Sequence, residues 1–130
     1  MEKKEPYASK EEFSERVVHY PDVPLVELAP SSNSHLVSAA NMTLSFITIE
    51  PNKYFPPHHH EAEQLVVVLD GGCDQIVDGK LYPLKKGDVC IIPSNVDHGD
   101  YVYDKGLKAI EIFSPPREDL VARLKKALSS

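Results

Sequence analysis

The sequence is poor in cysteine and in long apolar runs, and each shortage excludes a class of protein. Its 130 residues include two cysteines, Cys73 and Cys90, which are too few for a disulfide framework and lack the close pairing of a zinc knuckle. The longest apolar run, residues 65–69, is far too short to span a bilayer. We therefore expect a soluble, cytoplasmic protein with buried, reduced thiols, although a redox or pocket-lining role for the thiols is the alternative.

Positive charge is also scarce. Asp and Glu number 20 against 14 Lys and Arg, which gives a net charge of -6, and no basic tract is present. This balance argues against a general affinity for nucleic acid or for an anionic membrane. A chain of this length suits one domain. The partner that we expect is a small molecule.

What the chain does have is a regular series of short strands. The predicted strands span residues 42–50, 64–69, 73–77, 80–84, 88–92, 99–103 and 107–113. Turn signals at 70–72, 78–79, 85–87 and 104–106 separate them, and the Asp78-Gly79 pair is a strong two-residue hairpin signal. Such spacing predicts an antiparallel sandwich or barrel. Apolar residues on both faces of several strands also favour a homodimer.

The two ends of the chain have a different texture. Ser9 and Glu12 have the spacing of a capping box before a short helix, and the prolines of residues 20–28 favour an extended edge strand or a dimer-contacting arm. After residue 114, Leu120, Leu124 and Leu128 recur at helical spacing. We therefore predict an all-β barrel at 41–113, an N-terminal helix and arm at 1–40 that packs on the barrel or on a dimer partner, and a C-terminal helix at 114–130.

The run His58-His59-His60 is the main candidate for chemistry. In an extended segment alternate side chains share a face, so His58 and His60 point together while His59 points to the other side. Gln64 has the same parity, and His98 is expected to approach from an adjacent strand. The four residues form a plausible ligand set for one divalent transition metal, although a lone histidine is more often structural. Zinc, nickel, iron, manganese and copper all suit such ligands.

These histidines lie on a known pattern. The sequence resembles the cupins, whose first motif is a glycine, five residues, His-x-His, three or four residues, a glutamate, six residues and a glycine. His58, His60 and Gly71 fall on this pattern. Asn52 stands in the place of the first glycine, and Gln64 stands in the place of the glutamate. The resemblance covers residues 42–113 and implies a cupin jelly-roll barrel.

The second cupin motif is also recognisable. Gly87, Pro93 and His98 keep its spacing. Asn95 replaces a glycine, a tolerable change because asparagine accepts the left-handed backbone better than most residues. The final asparagine of the motif falls at Val102 and is absent. The resemblance implies that His98 completes the metal site.

Within the cupins, the run that ends in Gln64 and the closing residues 113–120 resemble the KdgF pectin-degradation proteins. Those proteins bind metal through three histidines and a glutamine and convert unsaturated monouronates into linear keto sugars. The resemblance implies that Arg117 and Phe113 contact the substrate. It also implies that Glu111 and Arg117 are catalytic. Glu111 stands where that family has a catalytic aspartate, so the side chain that carries the carboxylate is one methylene longer.

Gln64 bears on the kind of reaction. Three imidazoles and an amide are all neutral, so a bound divalent ion keeps its full charge and acts as a stronger Lewis acid. The leading hypothesis is a metal-dependent cupin of the isomerase or tautomerase type, which acts on a small, carboxylated, sugar-like substrate without redox chemistry. The alternatives are an oxygen-dependent dioxygenase and a non-catalytic binding or sensing module.

Overall fold

The computed structural model describes residues 1–129, which form eight antiparallel strands with a helix at each end. The helices are α1 (Lys10–Arg16) and α2 (Glu118–Ser129), and a 3₁₀ turn lies at Tyr20–Asp22. The strands are β1 (Val26–Ala29), β2 (Ser32–Ser38), β3 (Thr43–Ile49), β4 (Tyr54–His58), β5 (Glu63–Val77), β6 (Lys80–Lys85), β7 (Val89–Ile92) and β8 (His98–Ser114). The prediction of an all-β class with short terminal helices is confirmed.

Two long strands hold the barrel together. The first half of β5 pairs with β7 and with the second half of β8. On its other side this half of β8 pairs with β3, β3 pairs with β2, and β2 pairs with β1. The second half of β5 pairs with β6 and with the first half of β8, which also pairs with β4. The strands therefore form two sheets that share β5 and β8, as in a jelly roll.

The bends of β5 and β8 lie against each other. Gly71 and Gly106 both have positive φ angles, of 70° and 77°, and a Cβ added at Gly71 would lie 2.0 Å from the carbonyl oxygen of Gly106. Only glycine fits such a close backbone approach. The predicted turns at 70–72 and 104–106 are wrong, because these residues bend continuous strands at register shifts. The predicted turn at Asp78-Gly79 is correct, with Val77 paired to Lys80.

The inward face of β3, β8 and β5 is divided into four cross-strand rows. We call two of them the site rows: Thr43, Phe113 and Gln64; Ser45, Glu111 and Val66. We call the next two the core rows: Ile47, Ala109 and Val68; Ile49, Leu107 and Gly71. The side chains of the core rows join the larger apolar cluster. The site rows contain three buried polar side chains, those of Thr43, Ser45 and Gln64, whereas the core rows contain none in the described part of the chain.

The N-terminal segment contributes more to the sheet than the sequence suggested. Ser9 caps α1 and exchanges both capping-box hydrogen bonds with Glu12, but α1 has no buried residue. Tyr20 stacks on Phe46, with ring centroids 3.9 Å apart. The strand β2 was not predicted, yet it pairs along its whole length with β3. The sheet therefore begins at β1, ahead of the predicted barrel boundary at residue 41.

The C-terminal helix packs on the barrel by its first two turns. Leu120 is buried in the smaller apolar cluster, which also contains Phe113, and Leu124 packs against it. Leu128, the third residue of the predicted stripe, is exposed. Neither helix in residues 1–129 has the length and apolar character needed to cross a membrane.

Candidate metal centre

Three histidines meet at one end of the barrel. His58 ends β4 and is paired in register with His98 at the start of β8, and His60 follows two residues after β4. The nitrogens that these side chains offer as ligands all lie within 4.8 Å of one another. His98 is buried, His60 is half-buried and His58 is exposed. The spacing predicted from the sequence therefore does bring the three imidazoles together.

Each of these histidines has one ring nitrogen held by a nearby backbone carbonyl. His60 Nδ1 lies 2.8 Å from the oxygen of Ala62, and His98 Nδ1 lies 2.9 Å from that of Val96. His58 Nδ1 makes a longer contact of 3.4 Å with the oxygen of Pro56. Because a carbonyl oxygen only accepts, each Nδ1 carries the proton and each Nε2 presents a lone pair. Metal-binding histidines are commonly oriented in this way.

Gln64 lies against the histidine cluster and offers a fourth donor atom. Its side-chain nitrogen donates to Glu111 Oε2 at 3.0 Å, which turns its Oε1 toward His60 Nε2 at a distance of 3.1 Å. With the His60 proton on Nδ1, a nitrogen lone pair and an amide oxygen face each other at this contact. A cation that accepts both lone pairs removes the conflict.

The donor set fits a divalent transition metal. Ligands at about 2.1 Å from one ion lie at most about 4.2 Å apart, so a small closing movement of the imidazoles is sufficient. Burial lowers the pKa of His60, and the charge of Arg117 lowers it further. Burial also lowers the pKa of His98 to about 4. Both imidazoles are therefore neutral near pH 7, as metal binding requires.

Glu111 lies beside Gln64 within the site rows. Burial raises the pKa of its carboxyl to about 7, and the negative charge of Asp100 acts in the same direction. Arg117 and the hydrogen bonds from Ser45 and Gln64 act in the opposite direction. A carboxyl group with a pKa near neutrality is suited to both accepting and donating a proton.

Phe113 and Arg117 lie beside the histidines, as the sequence suggested. The ring centroid of Phe113 is 5.6 Å from that of His60, and the Arg117 guanidinium lies 4.9 Å above the Phe113 ring. However, Arg117 Nε and Nη2 donate to both carboxylate oxygens of Asp119, at 2.9 and 2.7 Å. This ion pair occupies one edge of Arg117 that could otherwise bind a substrate carboxylate with two hydrogen bonds.

Two further charged residues of the site were not identified from the sequence. Asp100 lines the same cavity, its Oδ1 is buried without a hydrogen-bond partner in the described part of the chain, and burial raises its pKa to about 6. Its position two residues after His98 was a usable signal, because alternate residues share a strand face. Arg123 also lines the cavity. Its position next to the Leu120 and Leu124 stripe of α2 was the corresponding signal.

A cavity of about 220 Å³ joins these groups. Phe113, Gln64 and Glu111 line it, together with apolar side chains of the core rows. Its volume lies below the range of about 300–1,000 Å³ for sites that take drug-sized ligands. The cavity therefore suits a small molecule rather than an oligomer.

Other elements of the predicted motifs have clear positions. His59 is exposed and lies outside the histidine cluster, with its Nδ1 3.0 Å from Asp97 Oδ1. Asn52 and Asn95, which replace motif glycines, both keep a left-handed backbone, with φ angles of 62° and 60°. The substitutions preserve the local geometry because asparagine tolerates this region.

Comparison with known proteins agrees with this architecture. Residues 45–106 match the family described as Cupin domain. A RmlC-like cupin from Shewanella frigidimarina superposes with a TM-score of 0.72 at 24% identity, over 80% of this chain and 96% of the other. KdgF from a Halomonas species superposes with a TM-score of 0.72 at 21% identity, over 79% of this chain and 94% of the other. Likenesses at these identities establish the fold.

A curated relative belongs to a different kind of protein. The chain is 27% identical to the HTH-type transcriptional activator RhaS of Shigella dysenteriae over 110 residues, which are 82% of this chain and 36% of that protein. The chain thus spans about a third of the length of this relative. The similarity therefore relates this chain to one part of RhaS and not to the whole of that protein.

Proposed function

We propose that this chain, which has the cupin fold and matches the Cupin domain family over residues 45–106, is a metal-dependent enzyme for a small anionic sugar. The proposed reaction is a ring opening or keto-enol conversion without redox change, with an unsaturated monouronate as the substrate. The observation that carries the proposal is the Gln64 side chain. Its oxygen contacts His60, one of the three clustered histidines, and its nitrogen donates to the carboxyl of Glu111.

The proposed ligands are His58, His60, Gln64 and His98. A divalent ion that these residues hold would act as a Lewis acid toward a substrate oxygen. None of the four side chains is an anion near neutral pH, so the ligands leave the charge of the ion undiminished. The ring nitrogens are fixed in advance by backbone carbonyls, which reduces the reorganisation that binding requires.

In the proposed mechanism Glu111 moves the proton. Its pKa of about 7 allows it to take a proton from one substrate atom and return it to another near neutral pH. Gln64 holds its Oε2 in place at 3.0 Å. Arg117, which is paired with Asp119, offers its remaining N–H groups beside the reacting oxygen, and Phe113 forms an apolar wall that excludes water.

The substrate assignment has a direct test. Zinc- or nickel-loaded protein is mixed with an unsaturated monouronate, and the absorbance of its double bond is followed. We expect the absorbance to fall faster than in buffer and faster than with protein stripped of metal by a chelator. A rate equal to that in buffer with every divalent ion tried contradicts the proposal.

A ligand-binding module without turnover is the second candidate, which the similarity to RhaS favours. Glu111→Gln separates the two, because glutamine keeps the size of the side chain and cannot transfer the proton. An enzyme is expected to lose turnover by roughly 10²- to 10⁴-fold while ligand affinity changes little. If the wild type binds the uronate and leaves it unchanged over hours, the binding module is the correct function.

The proposal extends to assembly and location. Exposed apolar residues on the outer surface support a homodimer: Leu69, Leu81, Val89 and Ile91. Sedimentation velocity at micromolar concentration tests this, and a single species of 14.5 kDa contradicts it. The two free cysteines support a reducing compartment, the cytoplasm, which cell fractionation tests.

A further inference from the structure

The two arginines on the cavity wall are not equivalent. Arg117 directs its Nε and Nη2 to the Asp119 carboxylate in a two-bond ion pair. That pair has no net charge, and it uses one of the two edges of the guanidinium that match a carboxylate. A substrate carboxylate has to displace Asp119 to gain the same contact with Arg117. The cost of that displacement makes Arg117 a poor first choice as the carboxylate clamp.

Arg123 is held in a different way. Its Nη1 donates to two backbone carbonyls of β1, those of Glu27 and Leu28, at 2.9 and 3.1 Å. A guanidinium has five N–H groups in a planar fork, so an anchor at Nη1 leaves the Nε and Nη2 edge for another partner. Within residues 1–129 no carboxylate lies in ion-pair distance of Arg123. Its side chain is exposed and lines the same cavity as Glu111.

We propose that Arg123 is the residue that recognises the substrate carboxylate. Two carbonyls fix the plane of its guanidinium before any ligand arrives, and the open edge can bind both carboxylate oxygens at once. Leu120 of the same helix and Leu28 of β1 flank it along the cavity wall. Arg117, neutralised by Asp119 and stacked over Phe113, then remains beside the histidines as a fixed group of the reaction site.

This assignment rests on the proposed function, because it presumes an anionic sugar, and it narrows the substrate class. The ligand must carry a carboxylate for Arg123 and a separate oxygen directed to the metal, because Arg123 and the proposed ligands His58, Gln64 and His98 line one small cavity. A monouronate has both groups on a single ring. A neutral sugar of the same size lacks the group that Arg123 binds.

The test compares an acid with its neutral counterpart. Calorimetric titration of zinc-loaded protein with D-galacturonate and with D-galactose gives the ratio of the two affinities. Because neither sugar has the double bond of the proposed substrate, the titration measures binding alone. We expect the wild type to prefer the acid and Arg123→Gln to lower that preference roughly 10- to 100-fold, the usual size of a charge-assisted hydrogen-bonded contact. The matched control is Lys125→Gln, which removes the same charge from an exposed position of the same helix and should change the ratio less than about twofold.

A second variant guards against loss of structure. Arg123→Gln could lower the melting temperature by loosening β1. Arg123→Lys is then the second variant, because lysine keeps the charge without the planar fork. Its affinity ratio should lie between the ratios of Arg123→Gln and the wild type. The assignment is overturned if Arg123→Lys leaves the affinity ratio at the wild-type value. It is also overturned if the wild type binds neither sugar or shows no preference for the acid. Turnover of the unsaturated uronate with an unchanged ratio in Arg123→Gln overturns only this assignment. A ratio that depends on Arg123 without any turnover overturns only the proposed reaction.

Discussion

The site rows and the core rows lie side by side on the same three strands, yet they have opposite chemistry. Residues 45 and 47 of β3 are neighbours on one face, as are 109 and 111 of β8. One step along the barrel exchanges the Ser45 and Glu111 pair for the Ile47 and Ala109 pair. Three of these residues are buried, and Glu111 is half-buried. Position in the sheet therefore does not decide which row is functional.

The two kinds of row differ in the interactions that stabilise their side chains. The core rows are stabilised by apolar burial and close packing, so their side chains are interchangeable only at constant volume. The site rows must satisfy every polar atom through specific partners: Ser45 Oγ contacts Ser34 Oγ at 2.6 Å, and Gln64 binds Glu111 at 3.0 Å. A change in the first region is therefore expected to cost stability, whereas a change in the second is expected to cost binding or turnover.

The largest expected effect is on metal affinity. His98→Ala removes a buried ligand next to the site rows, and we expect zinc affinity to fall roughly 100- to 1,000-fold, about a quarter of the binding free energy of a four-ligand site. Competition with a chromophoric chelator measures it. His59→Ala is the control, since that exposed histidine pairs with Asp97 outside the cluster. Equal losses in both variants contradict the assignment of the ligands.

The next effect tests the division between rows directly. Ile47→Ala opens a cavity in a core row and should lower the free energy of unfolding by about 2–5 kcal/mol while leaving metal affinity unchanged. Ser45→Ala, one position away on the same face, should cost only about 1 kcal/mol but should alter turnover, because the Ser45 hydroxyl lowers the pKa of Glu111. Urea unfolding and the uronate assay separate the two. The reverse outcome would mean that the rows are one continuous core.

A smaller effect is expected from Gln64→Glu. The added carboxylate should raise zinc affinity roughly tenfold, since it brings an anion to the ion. It should also lower turnover, because the donor to Glu111 Oε2 is lost and two carboxyl groups then face each other. The same chelator competition and uronate assay measure both quantities. Gln64→Ala serves as the control, which should weaken zinc binding instead. Unchanged zinc affinity in the glutamate variant contradicts the prediction.

The smallest effect concerns Cys73, which is fully buried in the apolar cluster of the core rows. Burial raises the pKa of its thiol to about 12, while the unfolded thiol ionises near pH 9. The unfolded state therefore loses its proton first, so stability falls as the pH rises above 9, by about 1 kcal/mol between pH 9 and 10. The difference between wild type and Cys73→Ala in urea unfolding isolates this contribution. A flat difference across that interval contradicts the burial of the thiol.

The same contrast explains what the sequence could predict. The strands β3 and β7 were predicted from their apolar residues, and the ligand histidines from their alternation on an extended segment. The strand β2 was missed because its inward residues Ser32 and Ser34 belong to the polar interior and give no apolar alternation. Periodicity reports burial only where burial is apolar.

Long-range pairing accounts for the other misses. Gly71 and Gly106 have the composition of turns, and only their contact across two strands shows that they bend one continuous barrel wall. The Arg117 and Asp119 ion pair and the anchor of Arg123 on β1 depend on where α2 meets the sheet. Spacing along the chain does not contain this information, because the partners of Arg123 lie 96 and 95 residues away.

The backbone carbonyls that hold the three histidines have an evolutionary consequence. Each carbonyl belongs to a residue two positions from its histidine, at Pro56, Ala62 and Val96, and every amino acid supplies the same group there. Point mutation at those positions therefore leaves the donor orientation intact. Lineages that carry this arrangement are free to vary the cavity wall, including the residues on α2, without first losing the orientation of the three imidazoles. New substrate preferences can then arise by single substitutions on an inherited, mutation-tolerant centre.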